Sequence, residues 1–138
     1  MMSTLMFRRV FFFLIISTFF SIAQSDIPIA TDNRIKTYVY NPNDVYLVLM
    51  ESGFQTSIEF AKGEKVQTMS LGNSYSWSIT PIQNRIFIKP LEDTVRTNMT
   101  VITNMRTYQF DLVSKNPEQS DLDIAYVIRF FYPRINGK

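Results

Sequence analysis

The residue types that carry most protein chemistry are missing from this sequence. Its 138 residues include no histidine and no cysteine, which removes the commonest general base, the thiolate nucleophile and the usual zinc ligands. Paired carboxylates could still divide acid and base work, and two pairs stand close in sequence: Glu92 with Asp93, and Asp121 with Asp123. Both pairs sit among polar turn residues, where solvated carboxylates are the norm. Asp121-Leu122-Asp123 also lacks the glycine and the closing glutamate of a calcium loop, and no glycine-rich phosphate cradle occurs. The expectation is a chain with no catalytic, cofactor-binding or metal-ligating residues, and not an enzyme.

Three other side chains invite a functional reading and receive a plainer one. Trp77, the single tryptophan, could stack on a sugar, but it stands mid-strand between Tyr75 and Ile79 and is expected in the core. Asn98-Met99-Thr100 matches a glycosylation acceptor, yet Met99 and Val101 read as strand positions, so no role is assigned to it. Arg129 interrupts an apolar strand, where it is expected to emerge at an edge or to pair with a carboxylate.

The elements that must position these residues are strands. In FQTSIEF, Phe54, Thr56, Ile58 and Phe60 alternate with Gln55, Ser57 and Glu59, the period-two pattern of a half-buried strand. YSWSIT repeats it, with Tyr75, Trp77 and Ile79 expected inward, and TYQFDLV does so with Tyr108, Phe110 and Leu112. IKTYVY, VYLVLM, VQTMSL, RIFIK, MTVIT and IAYVIRFFY are strand-like but apolar on both faces, as in a central strand or one that meets a partner. Turn chemistry separates them: Asn41-Pro42-Asn43, Ser52-Gly53, Lys62-Gly63-Glu64, Gly72-Asn73-Ser74, Pro81 to Asn84, and Asn104-Met105-Arg106. Such short turns are expected to join antiparallel neighbours, while the longer KNPEQSDLD (115–123) is where the chain could change sheets. Eight or nine short strands with no amphipathic helical window predict an all-β fold, an antiparallel β-sandwich.

The first residues do not belong to that fold. Arg8 and Arg9 precede an apolar run from Val10 to Phe20 and small residues at Ser21-Ile22-Ala23, the layout of a secretory signal peptide cut between Ala23 and Gln24. The run is about eleven residues, short of the roughly 20 needed to span a bilayer. Loss of Arg8 and Arg9 takes the 14 basic residues down to the number of acidic ones, 12. A mature chain of near-zero net charge has no general attraction for phosphate, and no direct nucleic-acid binding is expected.

Taken in order, RIKTYVYNPNDVY, GFQTSIEFAKGEKVQTMSLGNSYSWSI, RIFIKPLEDTVRTNMTVITNMRTYQFDL and AYVIRFFYP resemble the amino-terminal domain of the TrbG/CagX family, periplasmic scaffold subunits of conjugation-type (type IV) secretion systems. The matching positions include Tyr40-x-Pro42, Thr56-x-Ile58-x-Phe60, Gly63-Glu64, Gly72, Trp77, Ile88-Lys89-Pro90, Thr97-Asn98, Arg106-Thr107-Tyr108-x-Phe110 and Arg129-Phe130-x-Tyr132-Pro133. Asn73 and Met105 depart from the family pattern. After the signal peptide at 1–23 and a lead-in at 24–33, the resemblance implies the family's N-terminal β-sandwich at 34–133 and a short tail at 134–138, with the family's C-terminal domain absent.

It further implies a non-enzymatic structural subunit of the secretion core complex in the bacterial periplasm, either an inner-layer ring component or an assembly modulator. The implied partners are a full-length TrbG/CagX-like subunit, a TrbI-like channel subunit and further copies of the chain; contact with the outer-membrane lipoprotein is not expected without the second domain. IKTYVY and IAYVIRFFY are the first strands expected to offer free edges for such contacts. The alternative is a free periplasmic ligand-binding β-sandwich that reuses the same module.

Overall fold

The computed structural model describes residues 31–119 and 123–134; the expected cleavage point at Ala23 and Gln24, and Asp121, lie outside them. Among the described residues the chain forms nine strands and one 3-10 turn. In chain order these are β1 (Ile35–Val39), β2 (Val45–Glu51), β3 (Thr56–Glu59), β4 (Val66–Leu71), β5 (Trp77–Ile82), β6 (Arg85–Pro90), β7 (Arg96–Thr103), β8 (Thr107–Lys115) and β9 (Val127–Phe131), with the turn at Pro117–Gln119. They make a five-stranded sheet, β1-β9-β3-β6-β5, and a four-stranded sheet, β2-β8-β7-β4.

The expected all-β sandwich is present, but its strand directions are mixed. β1 and β3 both run parallel to β9, and β2 runs parallel to β8. Only β5–β6 and β7–β8 are consecutive antiparallel neighbours. The reason lies in what the short connections do. Sheets pack about 10 Å apart, a gap that four or five residues cross easily. The chain therefore changes sheet between β1 and β2, β2 and β3, β3 and β4, β4 and β5, and β6 and β7, as well as at the long 116–126 connection. Turn composition marks a reversal; it does not say whether the reversal stays in one sheet.

The core forms where the two inner faces meet. Ile58, Ile86, Ile88 and Ile128 from the five-stranded sheet pack on Val48, Met50, Met99, Val101, Phe110 and Leu112 from the other, all buried. β7 and β8 show the cleanest alternation, so Tyr108, Phe110 and Leu112 point inward as their spacing predicts. Trp77 is also in the core, with its indole N–H unpartnered.

Phe54 and Tyr75 do not follow the pattern. Both precede their strands, which start at Thr56 and Trp77, and lie in connections arriving from the other sheet; Phe54 is 44% and Tyr75 91% exposed. Ser57 and Ser76, expected in solvent, are buried instead. Ser57 is flanked in register by Val127 and Phe87, and Ser76 donates to the Glu92 carboxylate at 3.1 Å. Pro81, expected in a turn, is a residue of β5 opposite Ile86, tolerated because β5 is an edge strand that spares a backbone donor. The turn itself is Gln83-Asn84, with Gln83 at φ 55°.

Candidate functional site

Strand directions place the connections at 40–44, 60–65, 83–84, 104–106 and 132–134 at one end of the sandwich, and 31–34, 52–55, 72–76, 91–95 and 116–126 at the other. The first end is organised around Glu64. Gly63, at φ 82°, makes the turn after β3 that a side-chain-bearing residue adopts poorly, and the chain then carries Glu64 into complete burial. Arg106 meets its Oε2 at 2.9 Å, the Ala61 N–H donates to the same oxygen at 3.1 Å, and Thr103 Oγ1 and the Tyr108 hydroxyl donate to Oε1 at 2.6 and 2.9 Å. The Tyr132 hydroxyl lies 2.8 Å from that of Tyr108 and 3.4 Å from Glu64 Oε2.

Aromatic rings complete the cluster. The Arg106 guanidinium stacks 3.9 Å from the Tyr132 ring centroid and 5.5 Å from that of Tyr40, whose own hydroxyl donates to the Thr107 carbonyl at 3.1 Å. Burial, reinforced by the neighbouring carboxylate, pushes the Tyr132 phenol up to about 12; burial and the hydrogen bond with Tyr132 push Tyr108 higher still. Both tyrosines therefore stay protonated at neutral pH. Glu64 has donors on both oxygens, so it has no open position for a substrate proton. The arrangement is a clasp that ties the β3–β4 turn, the β7–β8 turn and the end of β9 together.

Tyr40, Gly63-Glu64, Arg106, Tyr108 and Tyr132 were legible as separate pattern positions, and the fold brings them to one place. That meeting was missed in the sequence. The signal that could have found it is an acid placed next to a turn glycine in a chain where a buried charge needs a cation, with Arg106 opening the β8 pattern.

Of the carboxylates that sequence alone singled out, Glu92, Asp93 and Asp123 are described, and each serves a separate local contact. Glu92 accepts from Ser76 and Asp93 from Ser52, each holding a connection in place. Asp123 pairs with Lys36 at 2.6 Å, and that hydrogen bond lowers its carboxyl below the ordinary range. Among the described residues no group of three or more acidic side chains is placed to hold a metal. Asn98 is exposed on β7. Arg129 pairs with Glu59 at 3.2 Å, and Glu59 is shared with Arg85 at 3.3 Å.

Edges differ from expectation in one respect. β9 lies between β1 and β3 and has no free edge, so among the described residues only IKTYVY of the pair IKTYVY and IAYVIRFFY offers one. Edge β2 is covered at two carbonyls: Leu47 accepts from the Tyr38 hydroxyl at 2.8 Å and Leu49 from the Ala125 N–H at 2.9 Å. β5 carries Pro81, and β4 has a register shift between Val66 and Thr68, devices that blunt edges. β1 has neither. Beside it, Val39 pairs in register with Phe131 on the outer face, where Phe131 is 61% exposed.

A family model described as CagX, conjugal transfer protein, matches residues 33–137. The chain belongs to this family. It is 32% identical over 108 residues to the type IV secretion system protein virB9 of Bartonella henselae, 31% over 121 to PtlF of Bordetella pertussis, and 30% over 118 to virB9 of Brucella abortus. Each similarity covers 74% of this CagX-family chain but only 38%, 44% and 40% of the respective relatives; the chain spans about two fifths of their length. Among solved structures, the M1 domain from titin overlaps with a TM-score of 0.30 at 13% identity, across 55% of this chain and 95% of that domain, too slight a likeness to carry weight. No helix among the described residues is long and apolar enough to cross a membrane.

Proposed function

We propose that the chain is a non-enzymatic structural subunit of a type IV secretion system, working in the periplasm as an inner-layer ring component or an assembly modulator. One observation carries this reading: Tyr40, Glu64, Arg106, Tyr108 and Tyr132, all among the positions at which the sequence resembles the family, meet in the Glu64 clasp, where donors occupy both carboxylate oxygens. What the family pattern specifies here is a fixed shape, and a fixed shape serves contact rather than turnover. The free edge of β1 and the outer apolar pair Val39 and Phe131 supply surface for it. In this reading residues 1–23 are a leader cut between Ala23 and Gln24, residues 34–133 are the working module, and the partners are a full-length CagX-family subunit, a TrbI-like channel subunit and further copies of the chain.

The test is affinity purification of the tagged chain from solubilised envelope of cells expressing both partners. Recovery of either partner is expected, with loss of recovery in a Val39→Glu, Phe131→Glu double variant. Recovery of the chain as a free monomer would overturn the proposal.

A further inference from the structure

The five-stranded sheet ends on β5, which carries Pro81, and on β1, which carries no such device. The backbone of β1 shows which of its residues are open. On the side of β9, the Arg34 carbonyl accepts from the Tyr126 N–H at 2.8 Å and the Tyr40 N–H donates to the Phe131 carbonyl at 2.8 Å. Backbone groups alternate in direction along a strand, so those of residues 34, 36, 38 and 40 turn to β9 and those of Ile35, Thr37 and Val39 turn outward. The Asp32 carbonyl accepts from the Ile35 N–H at 3.1 Å. Among the described residues no further strand lies beside β1 to meet the rest.

This edge matches a second copy of itself. Outward groups on two antiparallel copies meet only when odd-numbered residues face odd-numbered ones, and a two-fold axis through Thr37 achieves this while engaging all five residues of β1. That register sets Thr37 against Thr37, Ile35 against Val39 and Lys36 against Tyr38. Centred on residue 36 instead, it would set Lys36 against Lys36, and like charges directly opposite are destabilising. The axis through Thr37 also joins apolar rows on the outer face. Ile35 stands beside Val127 and Val39 beside Phe131, so Val127 and Ile35 of one copy run on into Val39 and Phe131 of the other, and exposed Val39 and Phe131 gain cover.

We propose that β1 pairs with β1 of a second copy, antiparallel and centred on Thr37, so that two five-stranded sheets become one. That the pairing serves assembly rests on reading the chain as a secretion subunit; its geometry does not. Sedimentation velocity of the purified chain over a rising concentration series tests it. Five paired residues per copy make a small interface of the weak, reversible class, so a concentration-dependent shift from monomer to dimer is expected. Thr37→Pro removes an outward backbone donor, a change that an edge strand tolerates, and should weaken the dimer at least about tenfold. The chain has no cysteine, so single-cysteine variants report the register even if the proline variant fails to fold. A short bismaleimide should join Thr37→Cys chains into covalent dimers but not Thr80→Cys chains, whose altered residue is exposed on β5 at the far edge of the same sheet. A monomer even at millimolar concentration, a folded Thr37→Pro variant that dimerises as wild type does, or cross-linking no better at Thr37→Cys than at Thr80→Cys would each overturn the proposal. Because these measurements use the chain alone, self-pairing can fail while secretion partners are still recovered, and the reverse.

Discussion

The two ends of this sandwich handle charge in opposite ways. At one, Glu64 is fully buried and saturated by Arg106, Thr103, Tyr108 and a backbone N–H, under a roof of tyrosine rings. At the other, charges meet in surface pairs, Asp32 with Arg34 and Lys36 with Asp123, beside exposed Phe54, Tyr75 and Leu91. A satisfied buried charge holds elements together, whereas an exposed pair contributes little. The contrast assigns more of the stability to the first end than to the second.

The sharpest way to break that assignment is to remove the cation from the clasp. Arg106→Met leaves Glu64 buried without its counter-charge, and such a loss costs about 3 to 5 kcal/mol; urea denaturation should show it, and a change below about 1 kcal/mol would mean that Arg106 acts as an ordinary surface charge. Tyr132→Phe is gentler. It deletes a hydroxyl that accepts from the Ala61 N–H at 3.1 Å and bonds Tyr108 at 2.8 Å, for an expected loss of about 1 to 2 kcal/mol.

Alkaline pH probes the same end without mutation. Tyr132 holds its proton more tightly folded than unfolded, so its contribution is complete below the ordinary tyrosine range near pH ~10 and is lost as pH rises through its folded value of about 12. Tyrosinate absorbance should show late-titrating tyrosines, fewer by one in Tyr132→Phe and all ordinary on unfolding. The smallest effect belongs to the other end. Tyr75→Ser removes a ring that is 91% exposed and should change stability by no more than about 0.5 kcal/mol; a large loss there would erase the distinction between the ends.

Much of the fold was legible because period-two alternation is enforced wherever a strand has one buried face. β7 and β8 obey it along their whole length. It failed at Phe54 and Tyr75, where an apolar run extends past the strand into a crossing between sheets, and it said nothing about which strands are neighbours. Parallel pairing of β1 with β9 depends on residues roughly ninety positions apart in the chain, beyond any local pattern. The candidate site was less legible for the same reason. Glu64, Arg106 and Tyr132 each stand in short motifs, but only the three-dimensional crossing of three connections makes them one cluster. The burial of Glu51 gave no sequence signal either, since a strand-ending acid before Ser52-Gly53 reads as solvated; it is the return of residues 124–126 beside β2 that buries it.

The central claim is that this chain works through contact surfaces on a fixed scaffold rather than through reactive groups. Recovery of a full-length CagX-family subunit from solubilised envelope tests it most directly, with wild type compared against Val39→Glu, Phe131→Glu and against Glu92→Gln, Asp93→Asn. Contact predicts that the first pair of changes abolishes recovery and the second leaves it intact; recovery that survives the first and vanishes with the second would contradict the account.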